Sequence, residues 1–324
     1  MANAAFSPTN SVTTTSAANF IPEIWSDEIV ASYKKNLVLA NLVKKMSFKG
    51  KKGDTVNIPS PARGNASAKA ATDAVTLIAE SDTMIQVLIN KHFEYSRLIE
   101  DIVEVQSLTS LRSFYTEDAG YALARRLDTD LVQLGRAFNG ATIGTDDYAT
   151  SASSTKAYVG SDGTTAYNSA SSNAAALTDA AIRRTIQRLD DNDVPMDGRF
   201  FLIPPSSRNT LMGLARYTEQ AFIGNGDAIR NGEIGQLYGM AVFASSNADT
   251  GAGNSAADRI CLMGHKDSMV LVEQIGIRSQ TQYKQEYLGT LFTADTLYGV
   301  KALRTAASPS AANASGAYAL AVPA

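Results

Sequence analysis

Leu123, Leu127, Leu131, Leu134 and Phe138 recur at steps of four, four, three and four residues. That spacing follows the period of an α-helix and lays five side chains along one narrow apolar stripe. Taken from Leu108 to Phe138, the segment predicts a rod of roughly 45 Å at about 1.5 Å per residue. Phe114 falls near the opposite side of that rod, so its two halves face different surfaces. Gly120 lies between them, where the rod can bend. A rod with one apolar edge cannot stand alone, and the rest of the chain must supply the body it lies on.

From Asp54 to about Tyr95 the texture is different. Val56 and Ile58 alternate with polar neighbours before Pro59 and Pro61, which predicts a strand that ends in a break. Met84 to Ile89 reads as the returning strand, and between the two lies a loose run of Ala, Ser, Gly and Asn. The result is a long two-stranded excursion with little to bury. Such a ribbon is marginal in water by itself, so it is expected to lie on something, and a neighbouring subunit is the natural candidate.

The first twenty residues, rich in Ser, Thr, Asn and Ala, read as an arm without a core of its own. Pro22 suits a first helical turn. Ile24, Trp25, Ile29 and Tyr33 then predict a short amphipathic helix, and Leu37, Val38, Leu39, Leu42 and Val43 form a second apolar patch. Residues 139–176 are Gly, Ser, Thr, Ala and Asn rich and read as a surface loop or flap. Leu177, Ala181, Ile182, Ile186 and Leu189 predict a helix beginning near Thr178 or Asp179. Phe200 to Ile203 is a short strand stopped by Pro204 and Pro205, and Asn209 to Tyr217 reads as helix again. Strand and helix in alternation predict a mixed α/β lobe. Ile260 to Met263, Met269 to Val272, Ile275 to Tyr287 and Leu297 to Leu303 are strand-like, and beyond Arg304 the chain reads as a loose tail.

Composition closes off several classes. Net charge is −3, with 29 basic and 32 acidic residues. There is no polybasic run beyond Lys49, Lys51 and Lys52 to grip nucleic acid or an anionic membrane. Residues 1–20 lack the pattern of a signal peptide, and no stretch approaches a membrane span. The expectation is a soluble product made in a cytoplasm, with no membrane partner.

Catalytic signatures are outweighed in each case by a structural reading. His92 and His265 are far apart, and neither has a second metal ligand at helical or turn spacing. Cys261, the single cysteine, sits in an apolar run and reads as a small buried side chain. Gly224, Gly226 and Gly232 lack the Lys-Ser or Lys-Thr pair of a phosphate loop. Asp190, Asp191 and Asp193 lack the Gly and Glu positions of a calcium loop and read as a solvated helix end. The expectation is no catalytic, cofactor or metal site, and no enzyme.

The order of parts and several local motifs resemble the Hong Kong 97-type capsid fold of tailed phages. Lys52-Gly53-Asp54-Thr55-Val56-Asn57-Ile58-Pro59 is similar to the start of that family's extended loop. Gly235-Gln236-Leu237-Tyr238-Gly239-Met240, followed by Val242 and Ser245, is similar to its axial lobe. Ile99-Glu100-Asp101, Arg112-Ser113 and Tyr115-Thr116 resemble the spine-helix region of short-tailed phage capsids, and His265-Lys266 through Tyr298-Gly299 resemble their final strands.

The resemblance implies an α+β fold in seven parts. These are an N-terminal arm and short helix (1–47), an extended two-stranded loop (48–95), a peripheral lobe with a long spine helix (96–138) and a flexible insertion (139–176). An axial α/β lobe (177–266), return strands of the peripheral lobe (267–305) and a C-terminal tail (306–324) complete the set. It also implies a major capsid protein that forms hexamers and pentamers of itself in an icosahedral shell around double-stranded DNA, held without sequence-specific binding. Portal protein, a separate scaffolding protein and, in some members, a decoration protein are the implied partners. The implied place is the virion, after assembly in a host bacterial cytoplasm. Trp25, Lys51, Lys52, Asp54, Pro59, Arg63, Lys69 and Lys91 are the candidate intersubunit contacts. Lys69 and Lys91 lie where some members crosslink, but no partner residues match.

An encapsulin-type nanocompartment around a cargo enzyme is the nearest alternative, and a cargo-enzyme gene beside this one would favour it. A hydrolase with residues 139–176 as its lid would need a convergent site that two separated histidines do not provide. A tail or fibre protein would show repeats in place of the spine helix.

Overall fold

The computed structural model describes residues 38–60, 83–106, 111–135, 157–167, 173–214, 235–248, 258–303 and 316–324. It also describes seven residues between 66 and 77. The chain opens with a single-turn helix α1 (Leu39–Leu42), a short strand β1 (Lys44–Ser47) and an antiparallel pair, β2 (Thr55–Ser60) and β3 (Thr83–Leu88). Strand β4 (Lys91–Glu100) then runs into helices α2 (Asp101–Gln106) and α3 (Leu111–Gly135). A short strand β5 (Tyr158–Val159) precedes helix α4 (Asp179–Asp191), strand β6 (Arg199–Ile203) and helix α5 (Pro205–Met212). The remaining strands are β7 (Gln236–Leu237), β8 (Met240–Ala244), β9 (Arg259–His265), β10 (Met269–Lys284), β11 (Gly289–Ala302) and β12 (Ala317–Val322).

These strands form two sheets and a free ribbon. One sheet has four strands in the order β1-β10-β11-β4, and the other has six in the order β5-β12-β9-β6-β8-β7. The ribbon is β2 with β3 alone. Mixed α+β architecture follows, as expected.

The leucine stripe is what joins the sheets. Leu127, Leu131 and Leu134 of α3 pack in one core with Phe200 and Leu202 of β6, Leu262 of β9, and Met269, Leu271, Tyr298 and Val300 of β10 and β11. Gly135 ends the helix against β9, where a Cβ would lie 2.6 Å from Leu262 Cδ2. The first half of the helix packs along the other end of β11, with Ala119 and Leu123 against Phe292 and Ala294. Phe114, expected to pack on a surface different from the stripe's, is exposed within the chain.

Strand β6 shows why some strands here read as continuous apolar runs. Phe200 and Leu202 face the core under α3, while Phe201 and Ile203 face a second core with Ile182 and Leu189 of α4 and Leu211 of α5. A strand covered on both faces has no polar side to display. Helix α4 begins where its cap dictates: the Thr178 side chain accepts from the Ala181 N–H at 3.3 Å, which meets one unsatisfied donor of the first turn. Pro205 opens α5 at a position where the missing N–H costs nothing.

Several expectations change. The expected helix is described from Leu111 to Gly135 as α3, while Leu108 and Phe138 lie outside the described residues. Strand β2 passes through Pro59 instead of breaking there, because an open two-stranded ribbon has an outer edge that tolerates a missing donor. Lys91 to Tyr95 belong to the four-stranded sheet and not to the ribbon, paired with Tyr298 through Ala294. Helix α5 starts at Pro205, upstream of the expected Asn209.

Two segments read as loose are partly core. Within 139–176, Ala157, Val159 and Tyr167 are buried, and Tyr167 donates to buried Asp258 at 2.6 Å. Within the expected tail 306–324, residues 317–322 form β12, buried throughout between β5 and β9. Ala317 sits where Gly264 leaves room, a Cβ on that glycine falling 2.6 Å from the Ala317 Cβ. Small residues here are packing and not looseness. The expected helix at Ile24 to Tyr33 lies outside the described residues.

Candidate assembly surfaces

The ribbon is anchored at one end and bare at the other. At its root, Val56, Ile58, Val87 and Ile89 pack with Val270 and Val272 of β10 and with Met46, Phe48 and Leu297. The Ile89 N–H donates to the Asp54 carbonyl at 2.8 Å and closes the ladder. Further out the cover ends: Met84 is exposed, and Val75 and Leu77, in the span between the strands, are 72% and 90% exposed. Among the described residues nothing forms a second layer over these apolar side chains, which makes them a candidate contact surface.

Lys51, Lys52, Asp54, Pro59 and Lys69 are all exposed on or beside this ribbon. Lys51 lies over the Phe48 ring at 5.4 Å. Lys91 is different: it opens β4, and its Nζ pairs with buried Asp130 at 3.2 Å within the same chain. Tyr298 donates to that carboxylate at 2.8 Å. Trp25 and Arg63 lie outside the described residues.

A second open surface was not anticipated from the sequence. Where β10 turns into β11, Tyr287 and Leu288 are 62% and 67% exposed, beside exposed Tyr283, Ile102, Val103 and Leu98. The turn is held in place: Tyr283 donates to Asp101 Oδ2 at 2.8 Å, and the Asp101 N–H donates to the Leu288 carbonyl at 3.0 Å. Leu288 takes φ of 43°, a left-handed conformation that a leucine rarely adopts. The only sequence signal was an apolar Tyr-Leu pair at a hairpin turn.

The residues tested for chemistry are occupied structurally. His265 accepts from the Asp267 N–H at Nδ1, and its Nε2 lies 2.9 Å from the Asp197 carbonyl, so both ring nitrogens are engaged within the chain. His92 lies 3.2 Å from Asp295, which Arg278 grips through two bonds of 2.7 and 2.9 Å. The Arg278 guanidinium, and then His92, hold the Asp295 carboxyl below its ordinary range. Cys261 is buried, and burial pushes its thiol up to about 12. Asp190 pairs with Arg199 at 2.7 Å. Among the described residues no His, Cys, Asp or Glu cluster could hold a metal ion, and no helix is long and apolar enough to cross a membrane.

A family model described as phage capsid protein matches residues 27–299. The chain belongs to the phage capsid protein family. Solved structures agree in fold over nearly the whole chain. A chain of Mycobacterium phage Che8 has 24% identity and a TM-score of 0.71, covering 93% of this chain and 97% of that one. The capsid of cyanophage P-SCSP1u has 18% identity and a TM-score of 0.71, with 99% of both chains covered. The mature capsid of bacteriophage PhiM1 has 14% identity and a TM-score of 0.67, covering 93% and 92%. No curated protein matches the sequence. The chain is a major capsid protein, and the nanocompartment alternative is not favoured.

Proposed function

We propose that this capsid protein is the repeating subunit of an icosahedral phage head of the Hong Kong 97 type. It forms hexamers and pentamers around double-stranded DNA and has no catalytic role. A heterologous contact that repeats around an axis closes a ring of identical subunits, and the ribbon supplies such a contact. The observation that carries this reading is the open apolar surface at Met84, Val75 and Leu77 on a ribbon that, among the described residues, packs at its root. In a shell each ribbon lies across the adjacent subunit, with Lys51, Lys52, Asp54, Pro59 and Lys69 at the contact. The hairpin surface at Tyr287 and Leu288 meets the same surface of other copies.

In this reading α3 is the spine, the four-stranded sheet the peripheral lobe and the six-stranded sheet the lobe toward the ring axis. The −3 net charge suits an inner wall that holds DNA without gripping it. Scaffolding and portal proteins are the partners in assembly, which takes place in the host bacterial cytoplasm, and the finished protein resides in the virion.

Replacing residues 60–84 with a short Gly-Ser linker removes Val75, Leu77 and Met84, leaves the packed root in place and tests the role of the ribbon's outer part. In analytical ultracentrifugation the intact chain, with its scaffold, should sediment as large particles. The shortened chain should keep its melting transition yet stay as single subunits. Particles of equal yield from the shortened chain would overturn the reading.

A further inference from the structure

Besides the packing of its own root, the ribbon is braced by a joint made by residues outside it. Strand β1 pairs with β10 in parallel only as far as Ser47 opposite Glu273. There the Phe48 N–H donates to the Glu273 carbonyl at 2.8 Å, and the chain turns away through Lys49 to Asp54. At the same level, along its opposite edge, β10 slips its register with β11, between Glu273 and Ile275 and again between Ile275 and Arg278. Gln274 sits in the first slip. A bulge of this kind re-aims a side chain out of the ladder.

The released side chain spans the turn. Gln274 Nε2 donates to the Lys51 carbonyl and to the Gly53 carbonyl, both at 3.0 Å. One carboxamide thus fixes two peptide units immediately before β2. The turn itself is soft, with Gly50 at φ of 77° and Gly53 at φ of 134°, conformations that glycine adopts at little cost. The Lys51 N–H also donates to the Phe48 carbonyl at 3.2 Å, and a glycine-bearing turn braced in addition by a side chain from a bulged strand is an adjustable joint with a lock.

Leverage makes the lock matter. A six-residue strand spans about 20 Å, so a rotation of about 10° at the root displaces its far end by about 3.5 Å. Side chains must be held to within about 0.5 Å for a built contact to form. Resting on the shell reading above, we infer that Gln274 is a positioning residue for assembly: its two hydrogen bonds set the angle at which the ribbon reaches a neighbouring subunit. Substituting it changes the ribbon's pose and the yield of shells while the fold of the subunit is retained.

The test uses the full chain with spin labels at Gln86→Cys on β3 and Ser279→Cys on β10, both exposed positions. Buried Cys261 does not compete for label. Double electron–electron resonance reads the distance in the unassembled subunit, and electron microscopy reads particle yield. Gln274→Met keeps the length and removes the donors. Gln274→Glu keeps the shape and turns an oxygen toward both carbonyls. The expected result is a broadened or shifted distance and a several-fold loss of particles in both variants, with an unchanged far-ultraviolet circular dichroism spectrum. Native distances and native yields in both variants would overturn the inference. So would unfolding of both, which would make Gln274 a stability residue. If the unsubstituted chain forms no particles, the shell reading fails, while the distance measurement still judges the joint.

Discussion

Gly299 on β11 lies directly against Leu88 at the ribbon root, so close that a Cβ at 299 would fall 2.2 Å from the Leu88 carbonyl oxygen. The same added atom would come within 3.2 Å of Ile89 Cα. The obstacle is backbone on a paired strand and cannot swing aside. Contact between ribbon and sheet is therefore made by absence of a side chain, next to the buried pair Val87 and Ile89.

Gly299→Ala should push the root away from β11 and open the small core formed with Val270 and Val272. Overpacking of this kind costs about 1–3 kcal/mol. Denaturant unfolding should show that loss. Particle formation should fall further than stability alone explains, since the ribbon leaves at the wrong angle.

Leu131→Ala cuts into the core where α3 meets both sheets. A fully buried leucine there should cost about 2–5 kcal/mol, read as a shifted urea midpoint. Phe114→Ala on the exposed half of the helix should change stability within about 0.5 kcal/mol.

Removing residues 316–324 should abolish the cooperative melting transition. Strand β12 pairs with β9 along six positions and with β5 at its other edge. Leu320 and Val322 are buried and contribute about 1.5–3 kcal/mol each, against a total stability of about 5–15 kcal/mol. A truncated chain that melts as sharply as the intact one would contradict the placement of this strand.

Asp162 offers a pH test. Its carboxylate accepts from the Thr165 hydroxyl at 2.5 Å and from the Thr164 and Thr165 N–H groups at 2.9 and 3.1 Å. The Thr165 hydroxyl foremost, then the Thr164 N–H, holds its pKa down from 3.8 to about 2. A carboxyl with a lowered folded value stabilises the fold above 3.8, and that contribution disappears as pH falls toward about 2. Carboxyl titration by NMR should place Asp162 near the lower value, and Asp162→Asn should lose less stability than the native chain across this window.

How much of this was legible in the sequence depends on whether a residue's neighbours are local. Leu123 to Leu134 declare one buried face by spacing alone, and Thr178 declares a helix start by its own hydroxyl. Val56 and Ile58 announce a strand, and the polar residues around them announce that little covers it. Ala319 and Ala321 announce nothing. Alanine fits a loose tail as well as a crowded sheet, and what decides is the room left by Gly264 and the partners Ile260 and Leu262, far away in sequence. Leu288 is hidden for a related reason: its left-handed turn is held by Asp101, across the sheet. Gln274 looks like any polar residue of a strand until the bulge turns it toward Lys51 and Gly53.

The central claim is that the ribbon of one subunit completes its packing on another. Cryo-electron microscopy of particles made from this chain with its scaffold tests that claim most directly. The account predicts a closed shell of five- and six-membered rings in which β2 and β3 of each subunit lie across the adjacent one, with Met84, Val75 and Leu77 covered. Dispersed subunits under assembling conditions, or a shell in which each ribbon packs back on its own subunit, would contradict it.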